Sequence, residues 1–313
     1  MTEQAWQQQL RKLSLDAVQD CLLCGISGKH DERWYGYLGL VDPYDVLRCP
    51  KCGLRWLSPR PSANGYRRLY SDAMYFGGEG ASPAAYEKEA RSRINYWKSR
   101  IRTAASTLGR RGCDLSFLDY GAATGEFVRV ARDGGYASVG LELSADARAA
   151  AKVRNGISLL SLDQIEEINT KRFDVIHMNH VLEHMPDPLA HLRWCEDRLN
   201  SEGLLVIEVP QQFDNDLDRL RRWLRAGGRR PQFDAYSLHH TYFFNPGTLQ
   251  SILERAGFEV VHLTTFNRNK APLWPPSLKN WTLRPFLACA DTLHRGGNII
   301  EIYAKRILPV VGT

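Results

Sequence analysis

The chain has 313 residues, 43% of them hydrophobic and 24% charged, a balance that supports a sizeable folded core and excludes a largely disordered chain. Its net charge of +6, from 41 basic and 35 acidic residues, is spread along the sequence and does not by itself mark a nucleic-acid binder. No stretch has the apolar length of a membrane span, and residues 1–13 lack the basic and apolar regions of a secretory leader, so the expected location is cytoplasmic.

Cysteines define the first module, over residues 15–60. Without a leader, seven cysteines point to metal ligation or buried thiols rather than disulfides. Four of them form two pairs, Cys21-Leu22-Leu23-Cys24-Gly25 and Cys49-Pro50-Lys51-Cys52-Gly53. This doubled spacing is that of two zinc knuckles, in which the thiolates share one ion and the glycine lets the backbone turn back. A redox pair would be expected once, in another context. Four protein ligands close the site, so Cys21, Cys24, Cys49 and Cys52 are expected to hold a structural zinc. The β-prone residues 34–47 between the pairs suit a ribbon hairpin. Cys113, Cys195 and Cys289 are expected to be packed inside.

A connecting segment with a leading helix follows, over 61–107. Its turn chemistry lies in Pro59-Arg60-Pro61-Ser62 and around Gly77-Gly78 and Gly80, and apolar residues at helical spacing predict a helix over 84–107. The main domain, 108–307, alternates strand and helix. Strands are predicted at 115–119, 138–143, 157–160, 173–178, 204–209, 258–264 and 298–304. Helices begin at Glu126, after the N-cap Ser144, at Pro188 behind Asp187, and at Pro246 behind Asn245. The Pro188 helix is expected to stop near Gly203. This is an α/β fold: a seven-stranded, mostly parallel sheet with helices on both faces, plus the small N-terminal ribbon.

Where the first of these strands meets its helix lies Asp119-Tyr120-Gly121-Ala122-Ala123-Thr124-Gly125-Glu126. Small residues there allow a sharp turn and close approach of backbone to a nucleoside. A pyrophosphate-binding loop would need glycine at 123 and 126, where the chain has Ala123 and Glu126. An acidic helix start opposes a pyrophosphate but tolerates a cationic sulfonium. Glu142, at the end of the second strand, is placed to hold both hydroxyls of a ribose. Taken singly, the loop reads equally as a plain tight turn and Glu142 as a solvated strand end.

Asp119 to Gly125 resembles motif I of class I S-adenosylmethionine-dependent methyltransferases, and Gly140-Leu141-Glu142-Leu143-Ser144 resembles their acidic second-strand motif. Phe173-Asp174-Val175-Ile176 followed by Asn179-His180-Val181-Leu182-Glu183-His184-Met185-Pro186-Asp187-Pro188 is similar to the signature of the type 23 group, as is His240-Thr241-Tyr242-Phe243-Phe244-Asn245. The resemblance covers about 85–307 and departs from the pattern at Ala123, where a glycine is usual. It implies a Rossmann-like fold and S-adenosylmethionine as cofactor. Asp119, Gly121, Ala122 and Gly125 would line the methionine part and Glu142 the ribose. Leu143 and Leu162 would face the adenine, with Asn179 and His180 beside the transferring methyl group.

His180-x-x-Glu183-His184 also matches a zinc-peptidase pattern, but nothing in the sequence marks the third ligand that such a site needs. A packed or hydrogen-bonded His184 beneath the cofactor loop is the other reading. Methyl transfer needs a base when the acceptor is a hydroxyl or a carbon acid. The candidates are His240 and His180, with Tyr242 and His239 behind them; a packed or surface His240 is the plainer alternative.

A basic insertion at 214–232 carries Arg219, Arg221, Arg222, Arg225, Arg229 and Arg230. It reads as a solvated helix face, a grip on an anionic acceptor such as a sugar nucleotide, or a membrane-surface contact through 217–230. A ribbon joined to this catalytic type resembles bacterial sugar methyltransferases. Those acting on carbon generally carry a further C-terminal domain, so methylation of a small-molecule or glycan hydroxyl is expected at least as much as methylation of a carbon. An RNA methyltransferase, using ribbon and arginines on phosphates, and a non-catalytic cofactor-binding partner are the alternatives.

Overall fold

A computed structural model describes residues 12–34, 45–70, 93–110, 114–216, 240–267 and 296–307. The N-terminal module contains β1 (Leu15–Asp16), β2 (Lys29–Trp34), β3 (Asp45–Arg48), β4 (Arg55–Ser58), β5 (Arg60–Pro61) and the short helix α1 (Ala63–Leu69). Each cysteine pair closes a tight turn: Gly25 N–H donates to the Cys21 carbonyl at 2.8 Å and Gly53 N–H to that of Cys49 at 3.0 Å. Both glycines have positive φ, 64° and 78°, a region that L side chains rarely enter. β2, β3 and β4 form an antiparallel sheet over the buried Trp56, as the β-prone sequence between the pairs led one to expect. Residues 35–44 lie outside the described residues.

The main domain runs through α2 (Ile94–Thr107), β6 (Ser116–Tyr120), α3 (Glu126–Asp133), β7 (Ala137–Leu141), α4 (Ala145–Asn155), β8 (Phe173–Asn179), α5 (Pro188–Arg198), β9 (Leu199–Pro210), β10 (Tyr242–Phe243), α6 (Pro246–Arg255), β11 (Phe258–Phe266) and β12 (Ile299–Arg306). Its sheet has the order β11-β12-β9-β8-β6-β7, with β9, β8, β6 and β7 parallel and β12 and β11 antiparallel. Alternation along each strand feeds two cores. Phe117, Val175, Leu204 and Val206 pack with Trp97 and Phe127 of α2 and α3; Leu118, Ile176, Leu205 and Ile207 pack with Leu192 of α5 and Leu249 and Ile252 of α6. Strands buried on both faces read as continuous apolar runs, which is why their positions were legible. Ser144, Asp187 and Asn245 cap their helices as expected, each accepting a backbone N–H.

Three expectations change. Among the described residues the sheet has six strands rather than seven, because 157–160 contributes only a single bridge, Leu160 to Leu141. Ser161 and Gln164 form a capping box immediately afterwards and start a 3-10 turn at Leu162, which cuts the pairing short. The Pro188 helix ends at Arg198, since Leu199 is already extended and begins β9. The ribbon, finally, is not a separate appendage: β10 pairs with β4, matching Tyr242 to Trp56 and Phe243 to Arg55, and makes the ribbon sheet four-stranded. The leading helix is described from Ile94 onward. Residues 71–92 and 217–239, which include most of the basic insertion at 214–232, lie outside the described residues. Among the described residues no helix is long and apolar enough to cross a membrane.

Candidate active site

The loop after β6 turns on Gly121 and Gly125, with φ of 78° and 77°. Gly121 and Ala122 both donate N–H groups to the Leu141 carbonyl at 2.9 Å, which stitches the loop to the end of β7. A side chain at Gly121 would meet Val181 at 2.5 Å, and one at Gly125 would press on Ala151 and Ile157. Ala123, at the place of the usual glycine, also has positive φ, 47°. Its N–H donates to Glu142 Oε2 at 2.7 Å. Glu142 Oε1 takes the Ser144 N–H at 2.8 Å. Burial pushes the Glu142 carboxyl up to about 7, against the opposing pull of those N–H groups and of Arg148. Glu126 does not face the loop's open side: it accepts the Thr124 hydroxyl at 2.5 Å and lies 3.3 Å from the Asn155 amide. Burial raises its carboxyl too.

These residues fit the nucleoside cofactor that the motifs imply. Asp119 is held from behind, its Oδ1 2.7 Å from His177 Nδ1. Leu143 stands 39% exposed at the end of β7, an apolar surface suited to one face of a purine. Leu162, half-buried, opens the 3-10 turn beside it. At the end of β8, Asn179 Oδ1 is buried with no hydrogen-bond partner among the described residues, which a ligand's donor would satisfy. Both carboxylate oxygens of Glu142 retain lone pairs for hydroxyl donors.

His180 follows Asn179 at positive φ, 55°, an unusual conformation for a histidine. Its Nδ1 lies 3.2 Å from Glu183 Oε1 and its Nε2 lies 3.1 Å from Glu208 Oε1. Burial alone would pull the imidazole down, but the two carboxylates hold it above the ordinary histidine range. Glu208 in turn pairs with Arg100 of α2 at 2.6 Å, and Arg100 also contacts Tyr96, Glu301 and His177. A buried ionic chain thus ties α2 to the ends of β6, β8 and β9, and His180 is one of its members.

Beyond the 182–184 turn, Thr241 N–H donates to the Glu183 carbonyl at 2.7 Å and Thr241 Oγ1 to the His184 carbonyl at 3.2 Å. That pairing brings His240 beside His184, the rings edge to face at 4.7 Å. His240 Nδ1 lies 3.0 Å from Gln212 Oε1, an acceptor suited to a proton on Nδ1. Burial would raise the Glu183 carboxyl, yet His184 and His180 more than offset it and hold it below the usual range. Tyr242 is buried beneath the Arg60 guanidinium, which lies 5.2 Å from its ring centre, and burial raises its phenol. His239 and the arginines from Arg219 to Arg230 lie outside the described residues.

Sequence reasoning missed the roles of Glu208, Arg100, Gln212 and Tyr66. Only Glu208, an acid within an apolar strand sequence, carried a signal.

The second cluster is the cysteine group. The sulfurs of Cys21, Cys24, Cys49 and Cys52 all lie within 4.8 Å of one another, with Cys21 and Cys52 at 3.6 Å. Four thiolates bound tetrahedrally at 2.3 Å to zinc stand about 3.8 Å apart, so this donor set fits the ion.

The family model described as "Methyltransferase domain", type 23, matches residues 86–263. A ubiquinone biosynthesis O-methyltransferase of Cereibacter sphaeroides is 28% identical over 120 residues, 36% of this chain and 42% of that one. One from Rhodopseudomonas palustris is 26% identical over 172 residues, 53% of this chain and 61% of the other. The chain therefore spans less than two thirds of the length of these curated relatives. A crystal structure titled as a SAM-dependent methyltransferase from Archaeoglobus fulgidus is 22% identical, with a TM-score of 0.46 over 71% of this chain and 98% of that one.

Proposed function

This chain belongs to the type 23 methyltransferase-domain family, and from that premise we propose that it transfers the methyl group of S-adenosylmethionine to a hydroxyl of a small molecule, first among candidates a sugar or glycoconjugate. The observation that carries the reading is the union of the glycine-turned loop with Glu142, whose carboxylate grips the loop at Ala123 while keeping lone pairs for a ribose. The relatives named as O-methyltransferases favour oxygen as the acceptor atom. When bound, the cofactor supplies a methyl group activated by its sulfonium.

The chain's own contribution is positioning and proton removal. Asp119, Gly121, Ala122 and Gly125 would hold the methionine part, Glu142 the ribose, and Leu143 with Leu162 the adenine. Asn179 Oδ1 would accept a donor near the methyl group. We assign departure of the acceptor's proton to the His240 side of the cleft. His180, with both ring nitrogens against carboxylates, is a positioning residue for Glu183 and Glu208. Zinc at Cys21, Cys24, Cys49 and Cys52 would be structural, holding the ribbon sheet to which β10, next to His240, belongs. The basic insertion at 214–232 is the part of the sequence suited to an anionic acceptor.

The test is turnover, read as release of S-adenosylhomocysteine over a panel of sugar nucleotides, phenols and short RNAs. We expect activity on a hydroxyl-bearing small molecule, and a His240→Ala variant at least a hundredfold slower in kcat with cofactor affinity near wild type. Methylation confined to RNA would replace the small-molecule acceptor. Unchanged turnover in His240→Ala would move proton removal elsewhere.

A further inference from the structure

We propose that Glu183, His184 and His240 form a second metal site, for a divalent transition-metal ion, at the acceptor end of the cleft. One ligand atom from each residue lies within 4.8 Å of the others, and His184 Nε2 stands 3.6 Å from Glu183 Oε1. Ligands bound at about 2.1 Å in a tetrahedron are about 3.4 Å apart, so closure around an ion needs only small side-chain movement. The sequence pattern suggested His180 with His184 and left the third ligand unmarked. The fold answers differently. Residues 182–184 form a 3-10 turn, His180 faces Glu208, and the missing ligand comes from His240, far along the chain.

Two independent observations point to an occupant. Glu183 is 1% exposed, with Oε1 facing His180 and Oε2 buried without a hydrogen-bond partner among the described residues. A carboxylate oxygen left bare in the interior is costly unless a cation or donor meets it. His240 Nδ1 stands 3.0 Å from Gln212 Oε1, and a contact of this kind on the second ring nitrogen is how metal-ligating imidazoles are usually fixed. His180 supports the Glu183 carboxylate from behind in the same sense.

Two imidazoles and one carboxylate suit zinc, iron(II), cobalt or manganese, and three protein ligands leave positions open for a substrate oxygen. The four-thiolate ribbon is closed by contrast.

The inference rests on the proposed methyl transfer to a hydroxyl and sharpens it: His240 serves proton removal through an ion. An acceptor hydroxyl bound to the ion has its pKa lowered and releases its proton to solvent. The oxygen's electron pair then forms the new bond to the methyl carbon, while the carbon–sulfur bond breaks with its pair left on sulfur.

The test is Mn2+ titration of the zinc-loaded full chain, read by loss of the free-ion paramagnetic resonance. Manganese has little affinity for thiolates and leaves the ribbon in place. We expect about one Mn2+ per chain, with His184→Gln and His240→Gln binding at least tenfold more weakly and His191→Gln, a histidine of α5 outside the cluster, binding as wild type. Wild type that takes up no Mn2+, nor any Zn2+ beyond the ribbon ion, overturns the site without relying on any variant. Equal binding by wild type, His184→Gln and His240→Gln also overturns it. Titrating S-adenosylmethionine into the same sample separates the two readings. Cofactor binding without the second ion defeats this inference alone, and ion binding without cofactor defeats the proposed transferase.

Discussion

Ala123 occupies a backbone conformation that an L side chain reaches only at a cost, and the Glu142 carboxylate holds it there. Replacing it with glycine removes that cost, so Ala123→Gly should stabilise the fold by about 0.5–1 kcal/mol in urea denaturation. A loss of stability would show that the methyl group packs usefully. Glu142 carries a pH signature. Its carboxyl titrates near 7 in the folded chain and near 4.5 when unfolded, with Arg148 the cation beside it. Between those values the native state holds a proton that the unfolded state has released. This group's contribution therefore makes stability fall as pH rises from about 4.5 to 7, by up to about 3 kcal/mol. Glu142→Gln should flatten that part of the urea midpoint against pH, and an unaltered slope would place the titration elsewhere. The loop and Glu142 were readable because spacing and element ends locate them. His180 was singled out as well, but not its pairing: its two carboxylate partners come from a neighbouring turn and from β9, and no local pattern encodes their distance.

Elements with strong local signals appear where expected. Capping residues at Ser144, Asp187 and Asn245 begin their helices, and the cysteine pairs make their turns, because each signal is completed within a few residues. The segment 157–160 shows the limit of that logic. It is apolar enough for a strand, with Ile157 and Leu159 packing against Ala122, Val128 and Ala151, yet the next residues start a turn. The ribbon supplies the prediction at this scale. Cys49→Ser should lower zinc from about one ion per chain to nearly none and cost on the order of 4 kcal/mol, in the range kept for lost metal sites. Elemental analysis with thermal melting checks it, and folded wild type without zinc would remove the ion from the account.

At the scale of the whole molecule, the ribbon and the cofactor domain share a sheet. Thr241, immediately before β10, bonds the Glu183 and His184 carbonyls, β10 itself pairs with β4 of the ribbon, and Tyr66 of α1 bonds the Thr241 hydroxyl. Arg55 of β4 adds ion pairs to Asp31 and Asp214 at 2.5 and 2.7 Å. His240 is therefore positioned by both halves of the chain. The sequence divided them at residue 60 because its boundaries follow local composition, whereas this pairing joins segments far apart in the chain. The α/β class, the parallel core and the place of the loop at the end of β6 were legible; the joint between β10 and β4 was not.

The central claim is that the loop and Glu142 bind S-adenosylmethionine, and calorimetric titration of the cofactor into wild type and Glu142→Ala tests it most directly. The account predicts near-stoichiometric binding by wild type, weakened about tenfold or more in Glu142→Ala, the scale of one charge-assisted hydrogen-bonding group. Folded wild type that takes up no cofactor, or equal affinity in the variant, would contradict it.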